Sequence, residues 1–389
     1  MKLVGLLLLV TAVCFLPAGV ASVSAESRAA LLSKAGWEAL RAGRLEDASR
    51  AFHDAIAMNG KDATLYLGLG LVAHLQGNST EARAQLQEAL RINPGLTPAS
   101  LLLGSLAYQA GELEVAIRVY EDALVYAPEH PQLRTQLDRW RKESTVHGGF
   151  QRALTPHFTV LFEGPEEQQL AARALEGLEA AYWRIGTTLL TYPPTVLTVV
   201  LYTEQQFRDI TRTPEWAGGM YDGRIRVPMR GALDHPGELE KVLAHEFTHA
   251  LVRSLAPRGV PTWVDEGLAV VFEADETRWA EQVIRRAPKL IPLPQLHDGF
   301  LKLSREQALL AYAESAMAMQ ALLSRHGALS VSQFLQDLAQ GQAFPVAFEH
   351  RFFVPYDQFV GTWAQPLRET SESFTDPPIS LGQHAVAPN

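Results

Sequence analysis

The chain has 389 residues, enough for two or three domains of ordinary size, and 47% hydrophobic with 20% charged residues is the composition of a globular protein with a sizeable core. Lys and Arg number 34 against 43 Asp and Glu, a net charge of −9. That balance argues against a nucleic-acid backbone or an anionic membrane surface as the main partner, and no Lys/Arg run supplies a local basic patch.

The chain opens with Met1 and Lys2, then apolar or small residues from Leu3 to Leu16, Pro17, and small residues up to Val23-Ser24-Ala25. A positive start, a short apolar centre and a small-x-small exit predict a secretory signal over residues 1–25, and hence an exported protein, periplasmic or extracellular. The alternative is an uncleaved membrane anchor through residues 3–23, since the run stretched past Pro17 reaches the length of about 20 residues that a span needs. The single cysteine, Cys14, lies inside this segment, and Thr11-Ala12-Val13 before it does not resemble a lipobox. The rest of the chain holds no cysteine, so disulfides and thiolate ligands are excluded and a metal site must be made of His and carboxylates.

Between Ala29 and His130 the chain repeats with a 34-residue period. Gly36, Gly70 and Gly104 recur at that spacing, as do Gly43, Gly77 and Gly111, then Ala48, Ala82 and Ala116, and Ala55, Ala89 and Ala123. The large apolar position between the alanines is Phe52, Leu86 and Tyr120, and Pro94 and Pro128 close the second and third units. These residues resemble the tetratricopeptide repeat, two antiparallel helices per unit with small residues where the helices approach. Pro131 to Thr145, polar but with Leu133, Leu137 and Trp140 on one helical face, predicts a capping helix. Such an array implies either a groove for a peptide or protein partner or a structural arm packed on the rest of the chain.

After a polar linker from Glu143 to Gly149 the pattern changes. His157 to Phe162 alternates like a strand, Glu166 to Leu190 is an amphipathic helix, and Thr195 to Tyr202 is strand-like, ended by a polar turn. Gly218 to Pro228 predicts a glycine-rich hairpin followed by an edge strand, because Pro228 is tolerated only at an edge. An edge strand exposes backbone groups to which an extended peptide can pair.

Pro236 to Arg253 is helical in pattern and contains His245-Glu246-Phe247-Thr248-His249. Histidines at i and i+4 lie one turn apart on one helix face, so both imidazoles reach one metal ion, with Glu246 aimed at a metal-bound water. A catalytic zinc site takes three protein ligands. Thr262 with Asp265 fits a capping box opening the next helix, which gives Asp265 a structural task and leaves Glu266, about 100° round the helix, to face the histidines. Glu273 and Asp275 are later candidates without a comparable local reason to point inward.

His245 to His249 followed by Trp263-Val264-Asp265-Glu266-Gly267-Leu268-Ala269 resembles the gluzincin-type, peptidase-MA-like zinc metalloproteases, over about residues 155–365. The Gly218–Pro228 segment is similar to their substrate-binding edge strand, and Tyr312-Ala313-Glu314-Ser315 resembles a motif of their C-terminal helical lobe. The resemblance implies one Zn²⁺ per chain held by His245, His249 and Glu266, with Glu246 as general base and Tyr312, or Tyr221 behind it, as oxyanion donor. His235 and His297, in proline- or glycine-flanked loops, read as surface residues or as partners of the ligands, the former favoured. Sixteen residues separate His249 from Glu266, fewer than in the aminopeptidase and thermolysin branches, so neither branch is assigned.

The implied fold is α+β: a signal at 1–25, an all-α tetratricopeptide superhelix at 26–145 and a zincin-like domain at 150–370. That domain combines a small mixed sheet, the motif helix and a helical lobe of three segments, from Glu306 to His326, Ser330 to Gln340, and near Tyr356 to Trp363; a tail at 371–389 is expected to be disordered. Three functions follow: an exported zinc metallopeptidase whose repeats recruit substrate or partner, a peptide-binding scaffold whose protease-like domain is idle, and a zinc hydrolase of non-peptide amides, which the edge strand disfavours.

Overall fold

The computed structural model describes residues 25–164, 167–211, 219–229, 236–273, 277–300 and 303–369. The signal or anchor segment with Cys14, the start of the hairpin at Gly218, His235, Asp275 and the tail lie outside the described residues. Among the described residues no helix is long and apolar enough to cross a membrane.

Three helix pairs open the fold: α1 (Ala25–Arg41) with α2 (Leu45–Met58), α3 (Ala63–Leu75) with α4 (Ser79–Ile92), and α5 (Thr97–Gln109) with α6 (Leu113–Tyr126). The period has a packing cause. A Cβ at Gly36 would sit 2.6 Å from the Phe52 ring, one at Gly70 2.8 Å from Leu86, and one at Gly104 would overlap Tyr120. Each large side chain of a second helix thus occupies the space that a glycine leaves on the first. Gly43, Gly77 and Gly111 turn the chain between the paired helices with φ of +80°, +76° and +81°. The array is closed by α7 (Pro131–His147), whose Trp140 stacks on Tyr108 at 5.0 Å and lies 4.5 Å from Tyr120.

The polar segment after Thr145 is not a linker. α7 runs on to His147, and Glu143, on its last turns, is buried. Five strands follow: β1 (Phe150–Leu154), β2 (Phe158–Glu163), β3 (Leu197–Tyr202), β4 (Met220–Tyr221) and β5 (Ile225–Pro228), ordered β1-β2-β3-β5-β4. The pairs β2–β3 and β3–β5 are parallel, β1–β2 and β4–β5 antiparallel. β5 therefore lies between β3 and β4, and the edge position predicted for it belongs to the two residues of β4. Pro228 is accommodated because it is the last residue of β5, beyond the pairing with β4. β3 is buried throughout, since α8 (Gln168–Leu189) and α10 (Pro236–Leu255) cover one face of the sheet, and α9 (Glu204–Thr211) with Val146 of α7 covers the other.

α10 is followed by α11 (Thr262–Glu273), α12 (Arg278–Arg286) and α13 (Arg305–Ala339), which bends at Gly327 with φ +78°, between the two predicted helical segments. α11 crosses α13 so closely that a Cβ on Gly267 would overlap the Ser315 carbonyl. α14 (Phe344–Phe352), α15 (Tyr356–Thr362) and α16 (Gln365–Glu369) finish the lobe around an aromatic cluster of Phe334, Phe344, Phe348, Phe352 and Tyr356.

Candidate metal centre

His245 and His249 project from one face of α10 towards Glu266 near the start of α11. One ligand atom from each lies within 4.8 Å of the others, and all three side chains are buried. Glu266 Oε2 is 3.6 Å from His245 Nε2 and 3.5 Å from His249 Nε2. None of these three atoms has a hydrogen-bond partner, and neither has either carboxylate oxygen of Glu246. Buried polar atoms are ordinarily satisfied, so five orphans in one place are an arrangement that a cation would complete. Two imidazoles and one carboxylate are a donor set suited to zinc, so the residues fit the metal that the sequence implied.

The far nitrogens of the imidazoles are also engaged. His245 Nδ1 lies 3.3 Å from Glu273 Oε2, and His249 Nδ1 lies 3.0 Å from Asp265 Oδ1. A proton held on His245 Nδ1 by Glu273 leaves the Nε2 lone pair directed at Glu266, and Asp265 sets a negative charge at ion-pair distance from His249 Nδ1. Two expectations are corrected here. Asp265 stands against His249 rather than serving a capping box, and Thr262 Oγ1 donates to the His297 carbonyl instead. Glu273 does point inward, because it lies two turns after Glu266 on the same face of α11. That spacing of seven was the signal for it in the sequence.

Positive charge is favoured in this centre. Burial disfavours the His245 imidazolium, but Glu266 and Glu273 outweigh it and raise its pKa to about 10. Burial is likewise outweighed at His249, which Asp265 and Glu266 raise to about 9. Glu246 is pushed up to about 7, by burial first, with the two histidines opposing the shift and Glu266 and Asp265 adding to it. The Tyr312 hydroxyl is buried without a partner, and burial, then Glu266 and Glu246, hold its pKa well above the ordinary phenol value. Tyr221 lies on β4 and is raised to about 12, chiefly by burial. His297 sits apart, its Nε2 3.0 Å from the Tyr356 hydroxyl, where it anchors the start of α11 rather than lying free on the surface.

β4 approaches the centre from above. A Cβ on Gly219, the residue before β4, would lie 2.6 Å from Glu246 Oε1, so the backbone passes directly over the carboxylate. The sheet end behind β4 is tied to the repeats by a buried charge cluster that sequence reasoning missed. Glu143 of α7 accepts from Arg224 Nη1 and Arg226 Nη2, each at 2.9 Å, and from the Tyr108 hydroxyl at 2.8 Å. Arg226 Nη1 donates to the Tyr202 hydroxyl at 2.6 Å and its Nε to Asp222 at 3.1 Å.

Residues 33–97 and 73–137 match the tetratricopeptide repeat family, so the N-terminal array is made of tetratricopeptide repeats. No protease or zincin family matches the chain. Cellulose synthase operon protein C of Komagataeibacter xylinus is 40% identical over 67 residues, 17% of this chain and 5% of that protein. The BBSome complex member BBS4 of Mus musculus is 30% identical over 96 residues, 24% of this chain and 18% of that protein. The chain thus matches only a small part of the length of these relatives. Among solved structures, the first tetratricopeptide domain of Spaghetti (RPAP3) bound to an HSP90 peptide is 17% identical, with a TM-score of 0.29 over 31% of this chain and 98% of that one.

Proposed function

We propose that the chain is an exported zinc-dependent peptide hydrolase whose centre is held by His245, His249 and Glu266. The observation that carries this reading is the convergence of three buried, unpartnered ligand atoms beside an equally unpartnered Glu246. When bound, zinc supplies a Lewis acid and lowers the pKa of a water towards neutrality. The chain's own residues do the rest. Asp265 and Glu273 fix the imidazole tautomers, and Glu246 takes a proton at a carboxylate oxygen and returns it to the leaving amine. A substrate backbone pairs with the outer edge of β4, which brings a peptide carbonyl over Glu246, and the Tyr312 hydroxyl donates to the oxygen that gains charge.

The test has two parts. Elemental analysis of the dialysed full chain is expected to give about one zinc, lost in His249→Ala and in Glu266→Ala. Glu246→Gln is expected to keep the zinc and lower peptide turnover by at least about 10³-fold, since it removes the proton acceptor. Turnover unchanged in that variant sinks the mechanism.

A second reading is favoured by the comparisons: a tetratricopeptide scaffold that binds a protein partner, with the zincin-like part catalytically idle. It predicts partner capture that is indifferent to Glu246→Gln and no cleavage of any peptide in a proteome-derived library. Cleavage confined to small non-peptide amides would move the assignment to an amide hydrolase.

A further inference from the structure

We infer that the cavity between the repeat array and α10 receives a carboxylate of the peptide substrate, two to three residues from the scissile bond, and that Arg253 pairs with it. For the word substrate this rests on the peptidase reading above; the cavity and its charge are features of the chain itself.

The cavity arises from how the repeats meet the rest of the molecule. Their intra-repeat turns form one edge. The first, at Gly43, lies against Arg258 and Gly341, and the third, at Gly111, against Thr198. The middle turn, at Gly77, touches nothing within 4 Å of where a Cβ would stand. Beneath it opens a space of about 640 Å³, walled by His74, Arg83 and Gln109 of the array, Tyr221 of β4, and Ala250 and Arg253 of α10.

Two elements lead from the metal centre into this space. On α10, Ala250 and Arg253 follow Glu246 by four and seven residues and so lie on its side of the helix, with Arg253 about 10 Å further along the axis. β4 starts next to Gly219, over Glu246, and ends at Tyr221 in the cavity wall. A peptide extended along β4 at about 3.3 Å per residue covers that distance in about three residues.

The cavity is cationic. Arg253 has no hydrogen-bond or ion-pair partner among the described residues, and its charge reaches both His74 across the space and Tyr221 in the strand. No acidic residue lines the cavity among the described residues. The nearby carboxylates are committed elsewhere: Glu112 to Arg83 at 2.9 Å, Asp222 to Arg226 at 3.1 Å and Asp265 to His249 at 3.0 Å. Burial and then Arg253 lower the His74 pKa, which disfavours a second positive charge beside Arg253. A guanidinium without a partner among the described residues, in a partly enclosed space, is a receptor for a carboxylate, which it can hold with two parallel hydrogen bonds.

The experiment is binding of fluorescein-labelled decapeptides of Ala, Gly and Ser to the full chain carrying Glu246→Gln, read by anisotropy. In one series a single Glu moves along C-terminally amidated peptides; in the other the free C-terminus is the only carboxylate. Binding at least about ten-fold tighter than for the Gln or amide counterparts is expected in one series, which identifies the carboxylate as side-chain or terminal. The preference should vanish in Arg253→Gln, survive in part in Arg253→Lys, and pass to Lys-bearing peptides in Arg253→Glu. Arg253 is exposed and unpaired, so these variants should keep the thermal midpoint of the parent. Equal binding of charged and neutral peptides, or a preference that persists in Arg253→Gln, overturns the inference. Peptide cleavage by the unsubstituted chain is scored separately: cuts without carboxylate preference leave the peptidase reading intact and remove this one, and Arg253-dependent binding without any cut does the reverse.

Discussion

Asp265 and Glu273 touch no atom that would meet the metal, yet each sits behind one of the two imidazoles. A neutral amide in either place keeps the shape but loses the charge that holds the Nδ1 proton. Asp265→Asn and Glu273→Gln are therefore expected to lower zinc affinity by about 10–100-fold, measured by competition with a chromophoric chelator, without change in the circular dichroism spectrum. At this scale the sequence was legible where spacing on one helix decides the geometry, as for His245 and His249. Glu266 was also reached, although the capping box invoked to free it is not formed. Glu273 was set aside although it follows Glu266 by seven residues on one face, because which face of α11 meets α10 is settled by packing such as the close approach of Gly267 to Ser315.

Among the elements, the repeat helices could be read residue by residue because each glycine–aromatic or glycine–leucine pair reproduces the same contact every 34 residues. The sheet could not. β1 has the burial pattern of a strand exposed for most of its length, β4 has only two residues, and the edge role fell to β5 because proline was the only local clue. The end of α7 misled for a different reason: Glu143 is polar in the sequence but buried in the structure, since Arg224 and Arg226 are buried opposite it. Removing one member of such a cluster leaves charge uncompensated in the interior. Glu143→Ala is expected to cost about 3–5 kcal/mol, read as a shift of the denaturant midpoint, and more than Glu143→Gln, which retains an acceptor for the arginines.

For the molecule as a whole, the array is bound to the rest at both ends. Arg258 reaches the Leu40 carbonyl at 3.4 Å on one side, and Arg224 donates to the Tyr108 carbonyl at 3.2 Å on the other. A chain lacking residues 26–145 would expose Arg224 without the Glu143 carboxylate and leave Arg226 only Asp222 as counter-charge. It is expected to yield no cooperative thermal transition, whereas two independent domains would give one. Zinc bound at the proposed centre would act on the same equilibrium from the other side. A hundred-fold excess over its dissociation constant should stabilise the full chain by about 2.7 kcal/mol, and the accompanying rise in thermal midpoint should be absent in His249→Ala.

The joint between Glu143 and the two arginines also sets an order of assembly. The three repeats need only near neighbours in sequence, so they can form as soon as they are made. Glu143 must then wait for partners 81 and 83 residues downstream, and the Tyr108 carbonyl for one 116 residues away. The repeat array is thus expected to serve as a template on which the sheet closes. Lesions in the repeats are expected to slow the assembly of the candidate centre even where they leave its final geometry untouched.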